Sequence, residues 1–496
     1  MEGKEQLQCY KVHKFPFQLL KKKNSANLSP FLISTMTSMS FLLIFVLGSV
    51  LSRELSVKSY AQLVEIFKSH SLDYVVDKDL RNLSSYVAQI SDYSEQKLPE
   101  RVVHTTGTGA RGHFELTHDI TSLSNACLFK SHGKKVPILG RFSMGSPGRN
   151  KPDSGSDSRG LAVRFFTECG NWDVLSASLV FFFNDVLSYA PDFLYSLRAG
   201  DFARVWDLRA SHPESVYRAV TQFSYLGTPT SYRRMDTSAG HTFKLVSATG
   251  AETYARFHFI SEQGARYNNI SIARQLSKAN PKRAQKDLRD AITRGEFPSW
   301  KLMIQTMPVD YNVTFDPFDS TFVWPREGFR FQPVGRIVFT ENIKDYEQQV
   351  EAVAFNPGNL ISGIEPSKDR LFPYRVFAYD QLHRNRLGPN YREKFPVNRH
   401  GRDFNTLQVV ASAVKNELKD GAKAECIFRQ LGGFYRARAV EEQKQIAQLA
   451  ALALADVPGK VKERLVTATY DKVDAALGSA VRSAQAGAHA KGEFGY

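Results

Sequence analysis

Hydrophobic and polar positions alternate in short runs through the middle of the chain, at residues 138–144, 161–167, 242–247, 252–260, 300–306 and 334–340. A period of two sends one face of each run inward and the other outward, so these runs predict β-strands. Ala248, Thr249 and Gly250 link two of them as a hairpin turn. So many antiparallel strands over so long a stretch favour a closed barrel, which leaves no unpaired edge. Helical spacing at 284–294 marks an insertion, and the Ser-, Gly- and Asp-rich residues 145–160 read as a loop. Beyond residue 405 the chain becomes rich in Ala, Leu and charge with helical spacing. It is clearest over 441–455, stops at Pro458 and resumes over 460–482. Strands first and helices last predict an α+β fold, an antiparallel β-barrel followed by a helical domain.

The N-terminus has a different texture. Residues 31–51 are uncharged and mostly apolar, preceded by Lys21, Lys22 and Lys23 and followed by Arg53. As a helix such a run reaches about 30 Å, enough to cross a bilayer, so it reads as a signal peptide or membrane anchor. The basic flank stays cytosolic by the positive-inside tendency. The rest of the chain is then expected in the secretory pathway, secreted or anchored outside the cytosol. Ser49 and Ser52 offer the small residues of a cleavage site.

Composition excludes a disordered chain: 496 residues are 42% hydrophobic and 12% aromatic, with 35 Phe, which suits a large core or a flat apolar ligand. Lys and Arg exceed Asp and Glu by 65 to 50, but the excess is spread along the chain, so no nucleic-acid partner is expected. Cys9, Cys127, Cys169 and Cys426 are scattered without a CxxC pair and predict neither a disulfide scaffold nor a zinc ribbon. Gly107, Gly109 and Gly112 fit a dinucleotide fingerprint in spacing, yet a strand pattern follows instead of a helix, so they read as a flexible barrel turn. His113, Glu115 and His118 read as polar strand and loop residues rather than metal ligands.

The segment RVFAYDQLHRNRLGPNY at 375–391 carries chemistry. As a helix ending near Gly388 it places Arg375, Tyr379, His383 and Arg386 on one face. A tyrosine loses its proton only near pH 10 in water, at about the reference value for a phenol, so two flanking guanidiniums favour a phenolate. A phenolate is a competent axial ligand for ferric heme.

Together with PERVVH at 99–104, FELTHDI at 114–120, GRFS at 140–143, SRGLAV at 158–163 and GNWD at 170–173, this segment resembles the heme catalases from about Leu98 through Arg482. The resemblance implies a catalase-type barrel over 99–345, after a basic N-terminus with its apolar segment at 1–55 and an arm at 56–98. A wrapping segment with the proximal helix then occupies 346–405, and a C-terminal helical domain 406–496. It implies heme b with ferric iron, Tyr379 as the axial ligand and Arg375 as its hydrogen-bond donor. Arg101, Arg141 and Arg386 match the arginines that hold the propionates. His104 matches the distal histidine, Ser143 the serine orienting it, Phe355 an aromatic packed on the porphyrin, and Val103 lies beside the histidine. Asp157 matches an acidic residue of the access channel. A homo-oligomer, a tetramer in the family, is implied as well.

The departures are equally specific. Ser176, Ala177 and Ser178 stand where the family has its distal asparagine, and Gly145 stands where it narrows the channel with valine. The aromatic over the heme face falls at Tyr189 or Ala190, and Gln381 replaces an Asp. The family's NADPH positions read Tyr217, Leu226 and Arg326, so no bound NADPH is expected. The function implied is decomposition of hydrogen peroxide to water and dioxygen, with His104 as acid/base. Ala177 and Gly145 keep open a peroxidase or a catalase-related enzyme that converts a fatty-acid or other organic hydroperoxide. A secreted heme-binding protein with little turnover is the third reading, against which the retained His104 and Ser143 stand.

Overall fold

A computed structural model describes Gln89 and residues 100–485 apart from 131, 185–189, 213, 400–423 and 456. The apolar run 31–51, most of the arm and Tyr189 lie outside the described residues. Among those described, no helix is long and apolar enough to cross a membrane.

Ten antiparallel strands form one sheet: β1 (Gly107–Leu116), β2 (Lys135–Met144), β3 (Arg159–Thr167), β4 (Gly170–Ala177), β5 (Thr237–Ala239), β6 (Phe243–Val246), β7 (Glu252–Ser261), β8 (Ser299–Pro308), β9 (Gln332–Asn342) and β10 (Ile364–Pro366). Strands β1 to β4 follow one another as neighbours, β1 also pairs β9, β9 pairs β8, and β8 pairs β7, which returns through β5 to β4. The sheet thus closes into an eight-stranded barrel, with β6 and β10 extending one side. All six alternating runs lie within or across β2, β3, β6, β7, β8 and β9. Inward positions carry Phe142, Phe165, Trp172, Phe257, Trp300 and Phe339, all fully buried in one cluster. Burying such side chains contributes on the order of 1.5–3 kcal/mol each.

The glycines at 107–112 form the first half of β1 rather than a turn. A Cβ on Gly112 would sit 1.8 Å from the Val338 carbonyl, and one on Gly109 2.6 Å from Val350 Cγ2. Glycine here lets β1 press between its neighbours, which is a packing need and not a flexibility signal. His113 and Glu115 pair with each other at 3.1 Å on the same strand.

The cysteines depart from expectation. Cys127 and Cys169 are joined as a disulfide, with Cα atoms 6.5 Å apart. The 3₁₀ turn at Cys127–Lys130 lies against the β3–β4 turn, an adjacency across 42 residues that spacing cannot reveal.

Helices α1 (Ala190–Ala199), α2 (Phe202–Ser211) and α3 (Glu214–Phe223) leave the barrel after β4, a block that the sequence pattern did not single out. Helices α4 (Ile270–Ala279) and α5 (Arg283–Thr293) fill the next crossover. The C-terminal helices, chiefly Ala424–Arg436 and Val440–Ala453, do not form a separate core. Their Ile446, Leu449 and Leu431 pack in one cluster with Val216 and Val220 of α3 and with Trp324.

The segment after β9 wraps back over the barrel and carries α6 (Leu371–Leu387). Gly388, at φ 97°, stops α6 where the sequence placed the end. A buried bidentate pair fastens this segment. Arg164 of β3 donates to both carboxylate oxygens of Asp173 of β4 at 2.7 Å, and to the carbonyls of Ala354 (2.7 Å) and Val397 (2.8 Å). Asp173 also accepts from Asn359 Nδ2 at 2.7 Å.

Candidate active site

His104 precedes β1 in the left-handed region, at φ 58°, and among the described residues it is the one non-glycine residue with positive φ. Such a conformation costs about 1–3 kcal/mol and persists where surrounding contacts hold it. Here its N–H donates to the Gly145 carbonyl at 3.2 Å, and its Nδ1 lies 3.0 Å from Ser143 Oγ. Ser143 and Gly160 face one another across β2 and β3. A Cβ at Gly160 would lie 3.0 Å from His104 Nδ1 and 2.8 Å from Ser143 Oγ, so the glycine makes room for the imidazole. Burial first, and the nearby Arg141 cation next, depress the His104 pKa to about 4. The ring is therefore neutral at pH 7 and can accept a proton.

Helix α6 presents Tyr379, Arg375, His383 and Arg386 to the cavity that His104 lines, as the helical spacing predicts. Arg375 Nη2 donates to the Tyr379 hydroxyl at 2.7 Å, and its Nη1 pairs with His241 Nε2 at 2.8 Å. His241 Nδ1 in turn meets Asp369 Oδ2 at 2.7 Å. This buried relay fixes the guanidinium over the phenol. His383 pairs with the Phe355 carbonyl at 2.8 Å, a structural role. The Phe355 ring packs beside Val353 and Leu139, under the Arg164 guanidinium.

At the rim, Arg101, Arg141 and Arg386 converge on Glu351. Arg101 Nη1 donates to its Oε2 at 2.5 Å, while Arg141 and Arg386 lie at 3.8 and 3.9 Å. Tyr346 donates to the other oxygen at 2.8 Å. Burial pushes the Glu351 carboxyl up, but the three cations overcome it and hold it below its ordinary range. Burial and then mutual repulsion hold Arg101 well below its ordinary value. Three guanidiniums against one carboxylate leave two positive charges in excess, and the Arg141 Nε is buried without a hydrogen-bond partner. The cluster calls for two further anionic groups.

Arg101, His104, Arg141, Ser143, Arg375, Tyr379, His383 and Arg386 line one cavity of about 820 Å³, together with Val103, Asp157, Gly145, Ala177 and Phe355. Asp157 accepts from the Ser146 and Ser158 amides at 2.7 Å. It stands 3.1 Å from where a Gly145 side chain would begin, so it takes part of the space that the glycine leaves. Ala177 pairs directly with Gly160 across β3 and β4 and so shares the His104 face. Ser176 points the other way, bonded to the Leu161 carbonyl at 2.6 Å and to Thr237 Oγ1 at 2.8 Å. Ser178 Oγ accepts from the Arg159 amide at 2.9 Å.

Several residues of this arrangement, Tyr346 and His258 among them, have no counterpart in the sequence pattern. His241, Asp369 and Glu351 are single polar residues in unremarkable surroundings. Ser238, next to Ala177 on β5, meets His258 Nδ1 at 2.6 Å. None has a spacing signal; only the folded chain brings them to the site.

An aromatic chamber lined by a phenol held by a guanidinium and by a neutral imidazole, with surplus cations beside it, suits a heme oxidoreductase. The comparisons make the class specific. The catalase family model matches residues 80–431. The catalase of Mus musculus is 40% identical over 322 residues, which are 63% of this chain and 61% of that protein. Catalase A from Saccharomyces cerevisiae superposes with a TM-score of 0.70 at 29% identity, covering 79% of this chain and 91% of that one. A fungal catalase gives 0.71 at 29%, covering 80% and 89%. The chain belongs to the catalase family, and it spans about 61% of the length of the curated relatives it matches.

The family implies heme, and the residues fit it. The two surplus positive charges suit two propionates, and the orphaned Arg141 Nε awaits an acceptor. Tyr379 would hold the iron, Arg101, Arg141 and Arg386 the propionates, and Phe355 a porphyrin face.

Proposed function

We propose that the protein decomposes hydrogen peroxide, converting two molecules to two of water and one of dioxygen, with heme b in the ferric state. The observation that carries this reading is the neutral His104 held by Ser143 across the chamber from the Arg375–Tyr379 pair. Heme in the chamber would supply the two-electron redox chemistry. His104 accepts a proton from one peroxide oxygen and returns it to the other, as a neutral imidazole can. Ser143 fixes the ring plane, and Arg375 holds the Tyr379 oxygen by a charge-assisted hydrogen bond. Oxygen evolution by heme-loaded protein tests the reading; none above that of free heme would defeat it.

Ala177 sets a limit on rate. It offers no donor on the His104 face, while Ser176 donates to the Leu161 carbonyl and Ser178 Oγ accepts from the Arg159 amide. One missing donor to a transition state costs about 3 kcal/mol, roughly a hundredfold. Ala177→Asn is therefore expected to raise oxygen evolution by about one to two orders of magnitude at matched heme content. It should change turnover of a bulky hydroperoxide much less. An unchanged or lower oxygen rate would show that the deficit is filled otherwise.

A second reading, conversion of an organic hydroperoxide, is favoured by the aromatic breadth of the chamber, where Phe181, Phe182, Phe183 and Phe193 all line the cavity. No NADPH is bound in this reading: the Arg326 guanidinium stacks on Phe331 at 4.5 Å and Tyr217 is packed in the core. The assembly is a homo-oligomer, a tetramer by analogy with the family. The protein enters the secretory pathway through residues 31–51, in keeping with the Cys127–Cys169 disulfide, which persists in oxidising compartments. A reporter fused after Glu54 should appear in the lumen or medium; an exclusively cytosolic or peroxisomal reporter would refute the placement.

A further inference from the structure

Among the described residues, one buried cation of the chamber has no counter-charge. Arg209 lies on α2 and is 4% exposed, yet its Nε and Nη1 have no hydrogen-bond partner. Its neighbours are aromatic: the guanidinium lies 4.6 Å over the Trp206 ring, one helical turn earlier, and 5.6 Å from that of Phe193 on α1. The carboxylates on these helices serve other cations. Asp192 takes Arg204 at 2.9 Å, and Asp207 takes Arg204 at 3.3 Å and also Arg464. Aromatic stacking recovers only a part of the cost of desolvating a guanidinium. Arg209 lines the same cavity as His104, so an anion that enters the chamber can reach it.

The wall between the two is continuous. Asp157, near His104, lies 3.8 Å from Arg218, whose guanidinium is 5.9 Å over Phe182. Phe182 packs at 4.9 Å on Phe193, which carries Arg209. Leu194 and Leu197 add apolar surface beside it. A ligand that fits is apolar where it meets Phe182, Phe193, Leu194 and Leu197 and anionic at the end that meets Arg209.

We propose that Arg209 anchors the carboxylate of an amphipathic ligand, a long-chain monocarboxylic acid whose tail lies along the aromatic wall of the chamber. This deepens the organic-hydroperoxide reading by naming the acid end of such a substrate, and it rests on that reading only for the peroxide group.

Binding without turnover tests it. Decanoate and decanol share a chain and differ in the charged end, so their dissociation constants are compared on the heme-loaded full chain by equilibrium dialysis. Decanoate should bind about ten- to a hundredfold tighter, the worth of a charge-assisted hydrogen bond. Arg209→Gln should bring the two constants together, and Arg209→Lys should keep most of the difference. Melting temperature and Soret absorbance establish that each variant is folded and loaded; should Arg209→Gln not fold, the wild-type ratio and Arg209→Lys still decide. Equal binding of both ligands to the wild type, binding of neither, or a preference that survives Arg209→Gln would overturn the proposal. Failure of the organic-hydroperoxide reading shows separately, as no turnover of a fatty-acyl hydroperoxide with the decanoate preference intact.

Discussion

Tyr379→Phe is expected to yield folded protein that does not retain heme, or retains it with a strongly altered Soret band. The substitution removes one oxygen and leaves the ring, so packing around α6 changes little. It removes the acceptor of the Arg375 hydrogen bond at 2.7 Å, and with it the donor facing the chamber that can carry a negative charge to iron. Arg375 stays buried and held by His241, so its Nη2 loses its partner and the proximal wall becomes cationic. The ratio of heme to protein after purification and the ferric spectrum are the measurements. A normal ratio with an unchanged spectrum would sink the assignment of Tyr379.

His104→Gln should retain heme but lose oxygen evolution by about a hundred- to ten-thousandfold, the contribution of a positioned acid/base. Glutamine can still hydrogen-bond Ser143, but it cannot take a proton and return it. The wild-type pH profile follows from the same residue. Burial and then Arg141 hold the His104 pKa at about 4, so the proton-accepting form prevails above that pH. The rate should be flat through neutral pH and fall as pH drops through about 4, because the protonated ring can no longer accept. A variant with near wild-type turnover, or a wild-type rate that already falls near pH 6.5, would exclude His104 as the base.

The barrel was legible because its strands are amphipathic: one face meets the core, and alternation is the direct record of that. Strand β1 was harder to read, since three of its first six residues are glycines whose role lies in what neighbouring strands press against them. Helices α1 to α3 were missed for a different reason. Their buried faces, such as Val205, Trp206 and Arg209 of α2, pack against the chamber and the C-terminal helices instead of a single apolar layer. Within the site, Tyr379, Arg375 and Arg386 share one helix, so a spacing argument reaches them. His104, Ser143, Arg101 and Arg141 were reached by family motifs. Glu351, His241 and Asp369 are each one residue on a different segment, with neither spacing nor motif to mark them. The Cys127–Cys169 pairing was illegible for the same reason, as a contact between two turns.

The Arg164–Asp173 pair has a consequence for the order of assembly. It ties the segment bearing Tyr379 and Arg386 onto the strands whose barrel bears His104, Arg101 and Arg141 around the cavity mouth. Neither half holds a complete cradle, so a rigid prosthetic group cannot be captured by one half and merely covered by the other. It is fully held only once the two halves have come together. Once they are joined, its escape requires breaking the buried hydrogen bonds that Arg164 and Asp173 make to Ala354, Val397 and Asn359 of the strap. Retention of the group is then governed by the rate at which the strap lifts as well as by the strength of the iron bond.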